Sequence, residues 1–352
     1  MNPKFIIDLK KLEHNARFLK ELCEKKGIKI TAVTKVFCAD NAMMQALLRA
    51  GITSFGDSRV ENLEEYPKEI GEKIMLRLPS PNNAMSIVQN SDISLNSEIK
   101  TITALGEAAK TLKKRHSIIL MIDLGDLREG VFFQNLDEIF DTVKAILEQE
   151  YLDFKGIGTN LTCYGSVIPD ADNLSKLCEI AVSIEKHFGI KLEVVSGGNS
   201  SSLYMLDTIP KGINHLRLGE AIVRGIETAF GKPFPGLETD IVVLSAQIIE
   251  IKEKPSMPIG KRTINAFGQE CEYIDRGLQK RAILAVGLQD TVLDGLTPIN
   301  PKIEIIGASS DHLLIDISQA DGLNIGDEVQ FSLSYGAILS GFTSKYINKT
   351  YK

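Results

Sequence analysis

A lysine closes a run of apolar and β-branched residues in TAVTKVFCAD, where Lys35 follows Thr31, Ala32, Val33 and Thr34. An ammonium at the end of a buried strand loses solvation, a cost that is tolerated where the amine does chemistry such as Schiff-base formation. On this stretch alone a second reading stays open, a side chain that snorkels to water from the strand end. The other chemical stretch is SGGNSSS, residues 196–202. Two glycines let backbone approach an anion closely, and the Asn and serines offer donors where a helix begins. That composition suits phosphate, with a flexible Gly/Ser loop as the alternative. A phosphate site together with a lysine on the first strand suggests pyridoxal 5'-phosphate, carried by the lysine. Arg217, in NHLRLGEAI, is then placed to reach the ring, or it forms a salt bridge with an acid such as Glu220.

These residues need elements to hold them. Short apolar segments recur near 29–35, 52–56, 73–78, 92–95, 117–123, 153–159, 191–196 and 214–219. Helix-period segments lie between them at 41–50, 61–70, 82–89, 98–114, 136–148, 173–187 and 201–206. Eight strand candidates alternating with helices predict an α/β fold, a closed (β/α)8 TIM barrel, with a doubly wound open sheet as runner-up. After Gly225 the rhythm stops at a Pro/Gly-rich hinge, GKPFPGLETD. Short strands are expected at 241–252, 282–286, 302–306, 312–317 and 328–333, with no long helical pattern among them. The expected domains are therefore a barrel over 1–229 and a smaller all-β domain over 230–352. Barrel chemistry collects at the carboxyl ends of the strands. Lys35, Asp57, Arg77, Asn96, the 123–130 segment DLGDLREG, Thr159-Asn160 with Cys163, the 196–202 loop and Arg217 all stand at such ends.

A hydrophobic content of 43% and a charged content of 24% in 352 residues fit a globular protein with a substantial core. The net charge of −6 argues against a nucleic-acid or anionic-membrane partner. The N-terminus carries no apolar signal core, and no run approaches the length of a membrane span. The five cysteines, Cys23, Cys38, Cys163, Cys178 and Cys271, are scattered without CxxC spacing, which suggests neither a disulfide framework nor a zinc site. A cytoplasmic protein without a metal is expected.

Four motifs in order, AVTK with Lys35, DLGDLREG with Arg128 and Gly130, SGGNSSS, and HLRLGEAIVRG with Arg217, are followed by the β-domain. In this the chain resembles, over essentially its whole length, the alanine-racemase-like, fold-type III family of pyridoxal-phosphate enzymes. The resemblance implies that Lys35 binds the cofactor and acts as one of two acid/base groups at Cα. It implies that Asn199, Ser200 and Ser201 hold the phosphate, that Arg217 meets the pyridine nitrogen, and that Arg128 lies near the substrate carboxylate. Tyr335, in LSYGAIL, sits where the family has a tyrosine reaching the phosphate. An arginine at the pyridine nitrogen keeps that nitrogen unprotonated, which favours simple proton return over transamination. The resemblance further implies a homodimer with shared active sites.

The β-domain departs from the alanine racemases. Leu288, in AVGLQD, stands where the second acid/base tyrosine is expected, so the second proton carrier is open among Cys163, His312 and Tyr164. In GASSDH, Ser310 replaces the Met of a Met-Asp pair, and Asp311 and His312 follow. These QD and SSDH segments resemble the ornithine racemase branch, which implies a cationic substrate side chain with Asp311, Asp290 or Asp126 as counter-charge. The implied activity is racemisation of ornithine. Alternatives are racemisation of alanine or another amino acid, a non-catalytic pyridoxal-phosphate carrier, and a lyase or aldolase. Such carriers end without the β-domain. The lyases pair the cofactor with a metal on a His-x-Cys-type cluster, whereas His312 is the only histidine after residue 215.

Overall fold

The rhythm between residues 29 and 219 folds into eight parallel strands that close on themselves. The computed structural model describes residues 3–265, 267, 268, 270 and 272–352, so Cys271 lies outside the described residues. Strand β1 (Lys4–Ile7) precedes the barrel strands β2 (Lys29–Val33), β3 (Ser54–Asp57), β4 (Glu72–Met75), β5 (Ile93–Asn96), β6 (His116–Asp123), β7 (Leu152–Gly158), β8 (Val194–Ser196) and β9 (His215–Leu218). Their order is β5-β4-β3-β2-β9-β8-β7-β6, and β5 pairs with β6 to complete the ring. That last pairing excludes the open sheet. The strands are apolar on both faces, as HSIILMID in β6 illustrates, because helices cover the outside while side chains fill the inside. The outer helix α1 (Leu9–Glu24) buries Leu12, Ala16, Leu19 and Cys23, the three-and-four spacing of one helical face. Among the described residues no helix is long and apolar enough to cross a membrane.

The chain divides into two units, 9–239 and 1–8 with 240–352. The expected boundaries, 1–229 and 230–352, differ from this at both ends, and each difference has a local cause. Strand β1 joins the β-domain, pairing antiparallel with β10 (Val242–Pro255) so that Ile6 faces Val243. Residues past 229 stay with the barrel because buried Asn15 on α1 exchanges hydrogen bonds with the backbone of Glu238, at 2.8 Å to its carbonyl and 2.7 Å from its N–H.

The β-domain sheet adds β11 (Leu278–Leu284), β12 (Leu296–Pro298), β13 (Glu304–Ala308), β14 (Leu313–Asp316), β15 (Glu328–Leu333) and β16 (Asn348–Tyr351). Its order is β12-β15-β10-β11-β14-β13, with β1 between β10 and β16. One helix interrupts the expected all-strand pattern, Tyr335–Thr343, where Ser334 caps the first turn by accepting from Ala337 N–H at 3.2 Å.

Two histidines are sealed into the barrel. His116 Nε2 lies 2.7 Å from Ser94 Oγ, and His215 lies 2.8 Å from both Thr31 Oγ1 and Ser196 Oγ. Burial, then the charge of Lys114, pushes His116 down to about 4. Burial, then Arg217 and Lys29, pushes His215 down to about 3. Both are neutral when folded, yet bind a proton near pH 6.5 once unfolded. The unfolded state thus holds more protons below that pH, and stability should fall on acidification by up to about 1.4 kcal/mol per pH unit for each group. Denaturant unfolding at pH 7, 6 and 5 should show this decline, and His116→Gln should make it shallower. Equal stability at all three pH values would contradict the assignment.

Candidate functional site

Strands β8, β9 and β2 are consecutive neighbours, with His215 registered against Ser196 and Arg217 against Thr31. Three motifs far apart in the chain therefore meet at one side of the barrel's carboxyl end. Lys35 follows β2 and opens a short 3-10 turn, Lys35–Phe37. Its side chain is exposed, whereas Thr34, Val36 and Phe37 are buried, so the amine reaches outward from a pinned backbone. Thr34 does much of the pinning. Its hydroxyl donates to Asp57 Oδ2 at 2.6 Å and accepts from the Tyr66 hydroxyl at 2.6 Å. Asp57 also accepts from Arg59 N–H and Asn62 Nδ2, each at 2.9 Å. Burial raises the Asp57 carboxyl above its ordinary range, and these donors pull it back. The Tyr66 phenol is raised as well, by burial and then by Asp57.

Arg217 is only 4% exposed. Its Nη1 donates to Ser196 Oγ and its Nη2 to the Thr159 carbonyl at 2.5 Å. Burial pushes the guanidinium down to about 10; Glu129 raises it and Arg128 lowers it further. The Glu129 carboxyl is itself raised by burial, against the attraction of Arg128 and Arg217. Glu129 forms an ion pair with Arg128. Glu220, the alternative partner for Arg217, pairs instead with Arg224. The loop that carries Arg128 and Glu129 turns on Gly130, whose φ is +122° and where a Cβ would lie 2.6 Å from Asp123 N.

In the 196–202 loop Asn199 caps the 3-10 helix Ser200–Met205, accepting from Ser201 N–H at 2.8 Å. Its amide donates to Asn160 Oδ1 and to the Leu161 carbonyl, each at 2.9 Å. Ser200 Oγ accepts from Ala221 N–H at 3.1 Å, and Ser202 Oγ donates to the Gly197 carbonyl at 2.7 Å. Ser201 Oγ is buried and has no protein partner, as are Thr159 Oγ1 and Asn96 Oδ1. All three belong to the carboxyl ends of barrel strands or the loops just beyond, the end at which barrel chemistry collects.

The remaining candidates are placed less centrally. Cys163 and Tyr164 are exposed on the loop after β7, Tyr164 to 76%. Asp126, expected as a possible counter-charge, is 1% exposed and accepts N–H bonds from Cys163, Tyr164 and Val167 at 3.0–3.3 Å. It builds that loop and has little capacity left for a substrate. Asp290 is likewise engaged, accepting from Gly287 N–H at 3.1 Å and Ser344 Oγ at 3.2 Å. In the β-domain the 287–290 and 309–312 segments are joined by Leu288 N–H to the Ser309 carbonyl, 3.0 Å, and Gln289 N–H to the Ser310 carbonyl, 2.9 Å. A Cβ on Gly287 would sit 2.4 Å from Asp311 Cα, so only glycine permits this approach. Asp311 and His312 form a pair at 3.0 Å with side chains 57% and 43% exposed, and the Ser310 hydroxyl lies 3.4 Å from Asp311. Tyr335 is half-buried at the start of its helix. Among the described residues no three His, Cys, Asp or Glu side chains are grouped to hold a metal. The sequence reading passed over Tyr66, Glu129 and His215. A polar residue inside an apolar strand, as His215 is, was the available signal.

Residues 7–225 match the family model described as Alanine racemase, N-terminal domain. An ornithine racemase of Acetoanaerobium sticklandii is 48% identical over 352 residues, 99% of each chain. A lysine racemase of Thermotoga maritima is 38% identical over 354 residues, covering 99% of this chain and 98% of that one. The solved alanine racemase from Bartonella henselae with covalently bound pyridoxal phosphate matches with a TM-score of 0.75 over 100% of both chains at 17% identity, a likeness of fold.

The Thr34 bridge makes a direct prediction. Thr34→Val removes a donor from buried Asp57 and an acceptor from Tyr66, and should destabilise the barrel by about 1–3 kcal/mol. Denaturant midpoints of the two proteins measure this, and an unchanged midpoint would contradict the role given to Thr34.

Proposed function

The chain belongs to the alanine racemase family, and on that premise we propose that it is a racemase acting on ornithine. It is an isomerase that uses pyridoxal 5'-phosphate. One observation supports the placing of the site above all others, the meeting of Lys35, Arg217 and the 196–202 loop at the carboxyl ends of the neighbouring strands β2, β9 and β8. The residues there fit the cofactor. The Ser201 hydroxyl, buried and without a protein partner, and the Ser200 hydroxyl suit phosphate oxygens. Asn199 has its amide and carbonyl engaged and so contributes by shaping the turn. Arg217 has donors to spare beyond those given to Ser196 and Thr159, and one of these suits a ring nitrogen.

When bound, the cofactor supplies an electron sink for the charge left at Cα as a proton departs. Arg217, even lowered to about 10, keeps its proton at neutral pH and gives the ring nitrogen a hydrogen bond only. That weakens the sink, so Lys35 removes and returns a proton at Cα without amino transfer. The second carrier, on the opposite face, is Cys163 or His312, with Tyr164 third. Arg128 orients the substrate carboxylate, Tyr335 supports the phosphate, and Ser310 with Asp311 recognises the substrate's distal amine. The identity of 48% to a protein named ornithine racemase, and the exposed carboxylate of Asp311, support that substrate over alanine. The protein works as a cytoplasmic homodimer with shared active sites, a reading supported by the family resemblance.

Lys35→Ala tests the site. Because Lys35 is exposed, circular dichroism should match the parent. The visible absorbance of the protein with added pyridoxal phosphate should change, and ornithine racemisation should fall by more than about a thousandfold. Retained activity would contradict the proposal.

A further inference from the structure

One polar chain, buried from Arg217 to Thr31, runs through the barrel toward its amino end. Arg217 Nη1 donates to Ser196 Oγ, which lies 2.8 Å from His215 Nδ1. On the other side of the ring, Nε2 is 2.8 Å from Thr31 Oγ1, which is 2.8 Å from Ser54 Oγ. Ser54 Oγ donates to Glu72 Oε2 at 3.1 Å. Thr31 and Ser196 are 0% exposed, so bulk water cannot take the place of either hydroxyl, whereas Ser54 and Glu72 are only partly buried. Glu72 is the first residue of β4 and Arg217 the third of β9, which places the two ends of the chain toward opposite ends of the barrel.

The ends determine the direction of every link. A guanidinium can only donate and a carboxylate only accepts. Ser54 gives its one hydroxyl hydrogen to Glu72, so Thr31 must donate to Ser54. Thr31 therefore has no hydrogen for His215, and Nε2 must carry one. His215 is then the Nε2–H tautomer, and Nδ1 accepts the hydroxyl hydrogen of Ser196. That turns the Ser196 lone pairs toward Arg217. The opposite tautomer would leave the 2.8 Å contact between Thr31 and Ser54 without a hydrogen.

We propose that Ser196, His215, Thr31, Ser54 and Glu72 form a directed relay that positions the Arg217 guanidinium, with His215 as a positioning residue for the racemisation. The link to racemisation rests on the reading of Arg217 given under Proposed function; the relay itself does not.

The test has two parts. First, cofactor-free protein labelled with 15N-histidine is studied by long-range 1H–15N NMR at pH 7, where there are five histidines to resolve. His215 should be the Nε2–H tautomer. Thr31→Ser should preserve it, and Thr31→Val should abolish its dominance. Ser54→Ala, at the less buried end, frees the Thr31 hydrogen and should shift His215 toward Nδ1–H even if Thr31→Val fails to fold. An Nδ1–H tautomer in the parent, or no shift in Ser54→Ala, would overturn the relay. Second, with cofactor bound, Ser54→Ala should lower kcat about ten- to a hundredfold with KM little changed and raise the share of amino transfer. Thr31→Ser should restore the parent values that Thr31→Val loses. A shifted tautomer with kcat and partition unchanged would overturn the positioning role. Neither part depends on Lys35→Ala, so a failure of the cofactor site shows separately.

Discussion

A guanidinium that keeps its charge while 4% exposed constrains much of this barrel. Desolvating such an ion costs several kcal/mol unless hydrogen-bond acceptors and counter-charge are supplied. Three strands cooperate to supply them. The end of β7 presents the Thr159 carbonyl, β8 ends in Ser196, and the loop after β6 brings Glu129 close enough to raise the Arg217 affinity for its proton. Glycines make the room. Gly158 leaves space where a Cβ would lie 3.4 Å from Arg217 Nη1, and Gly130 folds the Glu129 loop against the backbone of β6.

Arg217 is carried by a strand, whereas most of the non-glycine residues with positive φ lie in the loops beyond the strands. Cys38 and Ala39 beyond β2, Leu127 beyond β6, and Thr162 and Ser166 beyond β7 all adopt φ between 49° and 57° without being glycine. Such backbone is costly and tends to persist where function requires it. The loop after β7 shows what holds it, since Asp126 gathers three of its N–H groups. In the β-domain the 287–290 and 309–312 segments are held together by backbone pairs and by the missing side chain of Gly287.

The barrel was legible in the sequence because parallel strands buried on both faces are short apolar runs, and such runs alternate with helical segments. Lys35 and Arg217 were legible because a charged residue among apolar neighbours is conspicuous. The domain boundaries were not, since the pairing of β1 with β10 joins residues far apart in the chain, and buried Asn15 gives no local sign that it holds Glu238. Helix Tyr335–Thr343 was hidden for a different reason. LSYGAIL alternates like a strand, and only Ser334 at the cap marks it as helical. Asp126 and Asp290 looked like available charges, but burial and backbone donors engage both.

Arg217 lies on the strand beside the one that Lys35 follows, and the reaction proposed for that pair is reversible proton exchange at Cα with inversion. The most direct measurement incubates the protein and pyridoxal phosphate with L-ornithine or L-alanine in deuterated water, following optical rotation and deuterium content together. Loss of rotation with deuterium uptake for ornithine, and far less for alanine, is the predicted result. No exchange with either amino acid, despite bound cofactor, would contradict it.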